Sequence, residues 1–306
     1  MNGTQRRANR YMDRVLEKER LGKIKPPGGS RALKKMFSTP LSAIGMVLLV
    51  VITASAVFAP LLTSYNPNAI DMRAVLEPPS WEHLLGTDKI GRDVFTRILY
   101  GGRVSIGIGL GSALGAGLLG AFLGVMGGYK RGKLDAVLLR LSELFMAFPQ
   151  IILVLMLVSI VGQSVANLVL IFIFTGWASI YRMARSQVLS IREEEYIAAQ
   201  QAFGVGSIKI GLFEILPNAV SPITVNITLS TAMFILQEAS LSFLGLGVPM
   251  EVATWGNILN VANDLAILRG AWWLWAPVGI VISLFVLSIN FIGDGLRDST
   301  DPNQQG

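Results

Sequence analysis

The chain has no cysteine and a single histidine, His83, among its 306 residues. A disulfide framework, a thiol nucleophile and a thiolate metal site are therefore excluded, and one imidazole with no serine or cysteine pattern around it offers no catalytic pair and no metal relay. Charge is scarce as well, at 15% of residues, and leans basic, with 26 Lys and Arg against 20 Asp and Glu. A G-x-x-x-x-G-K-[ST] phosphate loop is also missing, so this chain does not bind ATP in that way.

Apolar residues make up 52% of the chain, the composition of an integral membrane protein. Crossing roughly 30 Å of hydrocarbon takes about 20 residues. Six runs meet or approach that length, at Leu41 to Leu62, Val104 to Met126, Phe145 to Val161, Val165 to Ile180, Val220 to Leu246 and Trp272 to Ile292. The first 36 residues carry eleven basic side chains, from Arg6 to Lys35, against three acids, which places the N-terminus inside. Six crossings then return the C-terminus to the cytoplasm. Lys130, Arg131 and Lys133 fall in one predicted cytoplasmic turn, and Arg182, Arg185, Arg192 and Lys209 flank the next, whereas the predicted external segment from Thr63 to Arg103 is charge-balanced. Ala54-Ser55-Ala56 mimics a signal-peptidase site, but the leader before it is too long and five spans follow, so the first span is read as uncleaved. The basic arm is read as an anchor on anionic lipid, not a nucleic-acid tail, and Tyr11 to Leu21 as a short amphipathic helix on the membrane surface.

Within the spans, glycine recurs every four residues at Gly107, Gly111 and Gly115 and again at Gly120, Gly124 and Gly128, giving narrow stripes that let another backbone approach closely. The pattern fits packing inside one bundle, and also a sliding surface in a moving transporter. In the fifth span Thr224, Thr228, Thr231 and Glu238 share one helical face, with Asn226, Ser230 and Gln237 beside it. An ionisable group in a span is a functional candidate by default, so Glu238 stands open between a translocation pathway and a structural hydrogen bond near the outer end of its helix. Asp88 and Asp93, outside the membrane, read as loop anchors.

Between the fourth and fifth spans, Ser190 and Glu193 have capping-box spacing and predict a helix through Phe203. Gly204 and Gly206 are suited to stop it, Ser207 to cap a second helix, and Pro217 to turn the chain back toward the membrane. The expected product is a polar helix-glycine-helix element shaped to dock into another protein.

The stretch Tyr196 to Pro217, YIAAQQAFGVGSIKIGLFEILP, resembles the E-A-A-x3-G-x9-I-x-L-P coupling motif of ABC importer permeases. Two further blocks narrow the resemblance. His83 to Val94, HLLGTDKIGRDV, continuing through Tyr100 to Ser105, is similar to the GTDxxGRD block of the C-type permease subunit in dipeptide, oligopeptide and nickel importers. Glu238 to Gly247, EASLSFLGLG, with Trp255-Gly256, Gly293 to Asp298 and Asp301-Pro302, is similar to that family's C-terminal half.

The resemblance implies an all-α, six-transmembrane-helix type I ABC importer permease with a cytoplasmic coupling-helix loop. Its parts would be a basic arm (1–40), the first helix with an external segment (41–103), a five-helix core (104–293) with the coupling loop at about 190–217, and a cytoplasmic tail (294–306). It further implies a related B-type permease, two cytoplasmic ATP-binding subunits, an extracellular or periplasmic substrate-binding protein, and residence in a bacterial or archaeal cytoplasmic membrane. ATP hydrolysis would belong to the partners, leaving this chain without cofactor or metal. The coupling residues carried over are Glu195, Tyr196, Ile197, Ala199, Phe203, Gly204, Leu216 and Pro217, with Ile197 and Phe203 as apolar knobs for an ATPase groove. Ala198 and Gln200 stand where the motif has its leading Glu and second Ala, so the motif's carboxylate is absent and Glu193, Glu194 and Glu195 become the nearby source of charge. Peptides are the first choice of substrate. The competing class is an ion-coupled secondary transporter or channel with Glu238 as its coupling carboxylate, working without an ATPase; a membrane enzyme is a distant third.

Overall fold

The computed structural model describes residues 39–300. The basic arm, the expected Tyr11 to Leu21 helix and Asp301-Pro302 lie outside the described residues. Among the described residues every regular element is helical, and the one extended pairing is an isolated bridge between Thr87 and Asp93.

Helix α1 spans Pro40–Val57 and a short α2 spans Ala59–Leu62. Helix α3, Val94–Lys130, is 37 residues long, about 55 Å at 1.5 Å per residue. It starts ten residues before the apolar run that signals it, because the Asp93 carboxylate caps it by accepting from the Thr96 N–H at 2.7 Å. The third apolar run is not one straight span. It is an amphipathic helix α4, Lys133–Met146, and a short apolar helix α5, Gln150–Val161, bent by 89° at the intervening Ala147-Phe148-Pro149. At 12 residues α5 extends only about 18 Å, less than the hydrocarbon core. Among the described residues there are therefore five helices long and apolar enough to cross a membrane, or six if the bent pair counts as one.

Helix α6 runs Val165–Arg192, well past Ile180, and carries Arg182 and Arg185 on its inner end. Then come α7, Glu195–Ala202, and α8, Ser207–Ile210. A π-helical turn at Gly211–Ile215 leads without a break into α9, Leu216–Phe243. Pro217 is thus not a turn. It lies in the first turn of α9, and the wide turn just before it accommodates the carbonyl left without a partner by the missing proline N–H. An external segment carries α10, Trp255–Leu259, and α11, Leu265–Gly270, before α12, Ala276–Thr300, closes the fold. The Gly293 to Asp298 block is the helical inner end of α12.

Helices α3 and α6 pack most extensively, and the glycine stripes explain how. A Cβ on Gly120 would sit 2.7 Å from the Trp177 carbonyl oxygen, and one on Gly124 would sit 2.7 Å from the Ala184 Cβ and 2.8 Å from the Tyr181 carbonyl. Gly128 meets Val188 in the same way, so this second stripe is internal packing. The first stripe is split: Gly115 meets Ile173, whereas Gly107 and Gly111 face open space. On the other side of α3, Gly109 and Gly117 receive Ile235 and Ile227 of α9. One apolar core joins α3, α9, α10 and α12 through Ile98, Ile235, Trp255 and Phe285, and a second joins α3, α5, α6 and α9 through Ile108, Val158, Phe172 and Phe234.

At the inner end Asp135 of α4 takes two 2.6 Å hydrogen bonds from Arg185 and one of 3.1 Å from the Tyr181 hydroxyl, bolting the amphipathic helix to α6. At the outer end Asp88 accepts from the Ile90 and Arg92 N–H groups and from the Arg92 guanidinium, and Asp93 Oδ2 meets His83 Nδ1 at 2.9 Å. Both carboxylates are loop anchors. Gly91 shows why that turn needs glycine: its φ is +78°, and a Cβ there would collide with the Asp71 carbonyl.

Candidate functional site

The helix-glycine-helix element forms where the sequence predicts it, with its start shifted. Ser190 lies in the last turn of α6 and Glu193 is that helix's C-cap, so the capping-box spacing does not open a helix here. The Glu194 carbonyl instead accepts from Ile197 and Ala198, and α7 follows. Its end fits the expectation: Gly204 has φ +75° and the Val205 N–H reaches back to the Gln200 carbonyl at 3.1 Å, a glycine-dependent C-terminal cap. Gly206, through its carbonyl and the Ile210 N–H, starts α8.

The apolar residues divide sharply. Ile197 is 0% exposed, packed with Val188, Ile210 and Ile215 and flanked by Val125 and Tyr129 of α3. It is therefore not a free knob; it pins α7 to the inner ends of α3, α6 and the π-turn. Phe203 is 87% exposed and Phe213, which sequence reasoning passed over, 70%, with Tyr196 half-exposed. Around them Glu194 and Glu195 are exposed, and Glu193 pairs with Arg131 at 3.1 Å. Burial, with Glu214 and Glu194 nearby, pushes the Tyr196 phenol up from its ordinary value, so it stays a neutral hydroxyl. Arg192 lies over the Tyr129 ring at 5.8 Å. Ala199 falls within α7, and Leu216 and Pro217 open α9.

The threonine line in α9 passes from surface to core. Thr224 is exposed, Thr228 half-buried and Thr231 buried, and each hydroxyl donates to the carbonyl four residues back, of Val220, Thr224 and Ile227 in turn. The hydroxyls are thus satisfied within the helix itself. Glu238 is 0% exposed and accepts from Ser105 Oγ at 3.0 Å and Ser242 Oγ at 2.8 Å. Beside this line Gln237 donates to the Gln150 side chain at 3.1 Å, and Gln150 donates to Thr175 Oγ1 at 3.3 Å, tying the start of α5 to α9 and α6. Gln150 was detectable in sequence as an amide directly after Pro149 at the head of an apolar run.

The segment between α9 and α12 is mostly brace. Trp255 is 1% exposed and donates through Nε1 to the Ile98 carbonyl, and Asn257 is buried with its amide reaching the carbonyls of Val248, Pro249 and Val252. Asn260 holds the Phe243 carbonyl at 2.7 Å. Asp264 remains outside, paired with Lys89 at 2.9 Å, and that ammonium holds its carboxyl below the usual range. Trp272 is exposed at the start of the last span, while Trp273 packs against the core.

Long apolar helices packed through glycine define a multi-pass membrane protein, with a charged two-helix element carrying exposed aromatics at one end. Comparison with known proteins gives the class a family. The family described as "Binding-protein-dependent transport system inner membrane component" matches residues 116–305, and "N-terminal TM domain of oligopeptide transport permease C" matches residues 29–79. The chain is 38% identical over 276 residues to a protein of Brucella suis biovar 1 named as a provisional peptide permease, covering 90% of this chain and 91% of that one. It is also 38% identical over 274 residues to the dipeptide transport system permease protein DppC of Alkalihalophilus pseudofirmus, covering 90% of each. The chain belongs to the binding-protein-dependent transport system inner membrane components, as a C-type permease subunit. It is a transport subunit of an ABC importer, not an enzyme.

Proposed function

We propose that this chain is one half of the translocation pathway of a peptide importer, paired with a related B-type permease and driven by two cytoplasmic ATP-binding subunits. An extracellular or periplasmic binding protein delivers the substrate. Peptides are the choice because the relatives above carry peptide and dipeptide transport in their names. The home of the complex is the cytoplasmic membrane of a bacterium or archaeon, with the bent α4–α5 pair counted as one crossing and both termini inside.

The observation that carries this reading is the exposure of Phe203 and Phe213 on an element whose own core is filled by Ile197, Ile210 and Ile215. An element packed so well from behind and left apolar in front supports docking, and the exposed Glu194 and Glu195 beside it favour a partner groove with basic rims. Closure of the ATPase pair then pushes on α7, and the push reaches α3 and α6 through Ile197. Tyr196 and Phe203 contact the partner, Gly204 sets the angle, and Leu216 and Pro217 join the element to α9. Thr224, Thr228 and Thr231 are the candidates to line the pathway, Thr224 being the most open in this conformation.

Gentle affinity purification from the native membrane, followed by mass spectrometry, tests the assembly. Recovery of a second permease with two phosphate-loop ATPases is expected. Recovery of the chain alone with transport intact would replace this reading with an ion-coupled transporter.

A further inference from the structure

The end of α9 and the external segment after it meet at a buried polar hub that the importer reading leaves without a task. Glu238 Oε2 accepts from Ser105 Oγ of α3, and Oε1 accepts from Ser242 Oγ one turn along α9. The Thr254 hydroxyl accepts from the Asn257 N–H at 3.0 Å as the N-cap of α10. Ser105 Oγ in turn accepts from the Trp255 N–H at 3.0 Å. The carboxyl thus joins α3 and α9 directly, and reaches the segment from Gly245 to Asn263 through Ser105 and the Trp255 N–H.

Packing around the hub leaves little slack. Gly256 lies so close to α9 that a Cβ there would fall 2.8 Å from the Ala239 Cα, and one on Gly247 would fall 2.7 Å from the Ser242 nitrogen. Gly101 faces Thr254 across a comparable gap, with its Cβ position 3.3 Å from the Thr254 Cα. Trp255 fills the space between α3 and α12, edge-on to Phe285 with ring centroids 5.4 Å apart.

We infer that Glu238 is a positioning residue that fastens the Gly245 to Asn263 segment, as a cap, to α3 and α9, so that this outer seam stays shut unless the hub is broken. A multiply accepting carboxyl suits the task because it gathers two hydroxyl donors from different helices at one point, which a single hydroxyl or amide oxygen does less well. The inference concerns this outer seam alone. It stands whether or not ATPases drive the protein.

Thiol labelling tests it on a clean background, since the chain has no cysteine. Ala253→Cys puts a reporter in the cap at a buried site, and Ile223→Cys puts one at a buried site far along α9. Each is exposed to a polar maleimide in membranes opened to reagent on both faces. With Glu238 present both stay protected. Glu238→Ala is expected to raise the labelling rate at Ala253→Cys by about tenfold or more through local opening, leaving Ile223→Cys unchanged, and Glu238→Gln, which keeps shape and an acceptor oxygen, to restore most of the protection. Ser105→Ala removes one spoke and leaves the carboxyl, and should raise cap labelling about threefold. It carries the test if Glu238→Ala does not reach the membrane. Unchanged cap labelling in Glu238→Ala, or in Ser105→Ala where that variant stands in, overturns the inference, and so does an equal rise at both reporters. No ATPase or substrate enters the assay, so its failure is distinct from failure of the importer reading.

Discussion

Gly204 offers a test of coupling in which sterics and backbone conformation separate cleanly. Its φ of +75° lies in the left-handed region, yet a Cβ built on it meets nothing within 4 Å. Within this chain the first effect of a substitution therefore comes from the backbone rather than from a clash. An ordinary L-residue in that conformation costs about 1–2 kcal/mol, asparagine less because its side chain bonds locally, and a β-branched residue stands at the upper end. That is a shift of about 5- to 30-fold between the held element and looser alternatives. Gly204→Asn, Gly204→Ala and Gly204→Val should thus form a graded series, with membrane insertion unchanged throughout. In proteoliposomes containing the whole importer, the ratio of substrate moved to ATP consumed should fall in that order, with valine transporting at roughly a tenth or less of the parent's efficiency. If valine and asparagine transport equally well, the angle set at Gly204 has no part in coupling.

Other outcomes follow from the packing. Gly124→Leu should destabilise the α3–α6 contact by about 2 kcal/mol or more, because the added atoms meet backbone, whereas Gly111→Ala should be close to neutral; reversible unfolding in mixed micelles measures both. Asp135→Asn leaves the Arg185 guanidinium without its carboxylate and should cost about 3 kcal/mol, the low end for buried pairs because Arg185 is partly exposed; a double-mutant cycle with Arg185→Met should show strong coupling. Phe203→Ala together with Phe213→Ala should weaken retention of the ATP-binding subunits during purification while leaving the thermal stability of the isolated chain unchanged, since both rings are exposed. The Lys89–Asp264 pair has a defined pH sense. The Asp264 carboxyl is lowered by Lys89, so the tether is present above the ordinary carboxylate value and is lost as pH falls through the depressed one; hydrogen-exchange protection of the Leu265–Gly270 amides, corrected for the intrinsic rate, should fall at acid pH, and in Lys89→Ala at neutral pH also.

The membrane character, the number of apolar runs and the helix-glycine-helix element were all readable from the residues, because each rests on local composition or on glycine's conformational range. Helix ends were not. The first turns of α3, Val94 to Arg103, contain two arginines and two glycines that hide them from an apolar-run criterion, and only the Asp93 cap reveals the true start. Helix α4 escaped for a similar reason: Asp135, Arg140 and Glu143 break its hydrophobic average, although the residues before Pro149 gave a legible stop. The π-turn before Pro217 has no comparable signature. Which apolar residue of the helix-glycine-helix element points inward was also hidden, since Ile197 is buried by Val188, Ile210 and Ile215 rather than by its immediate neighbours. Glu238 was legible as unusual, but its partner Ser105 lies 133 positions away, a relation that no periodicity within α9 encodes.

The length of α3 has a mechanical meaning. One continuous helix begins at the Asp93 cap in the external turn and ends beside Tyr129, whose ring packs with the cluster that holds Ile197. The helix has no proline and no break, so one hydrogen-bonded element links both regions, with Gly101-Gly102 and Gly127-Gly128 as the places where it bends most easily. A change of tilt imposed on one end of this single element would be felt at the other.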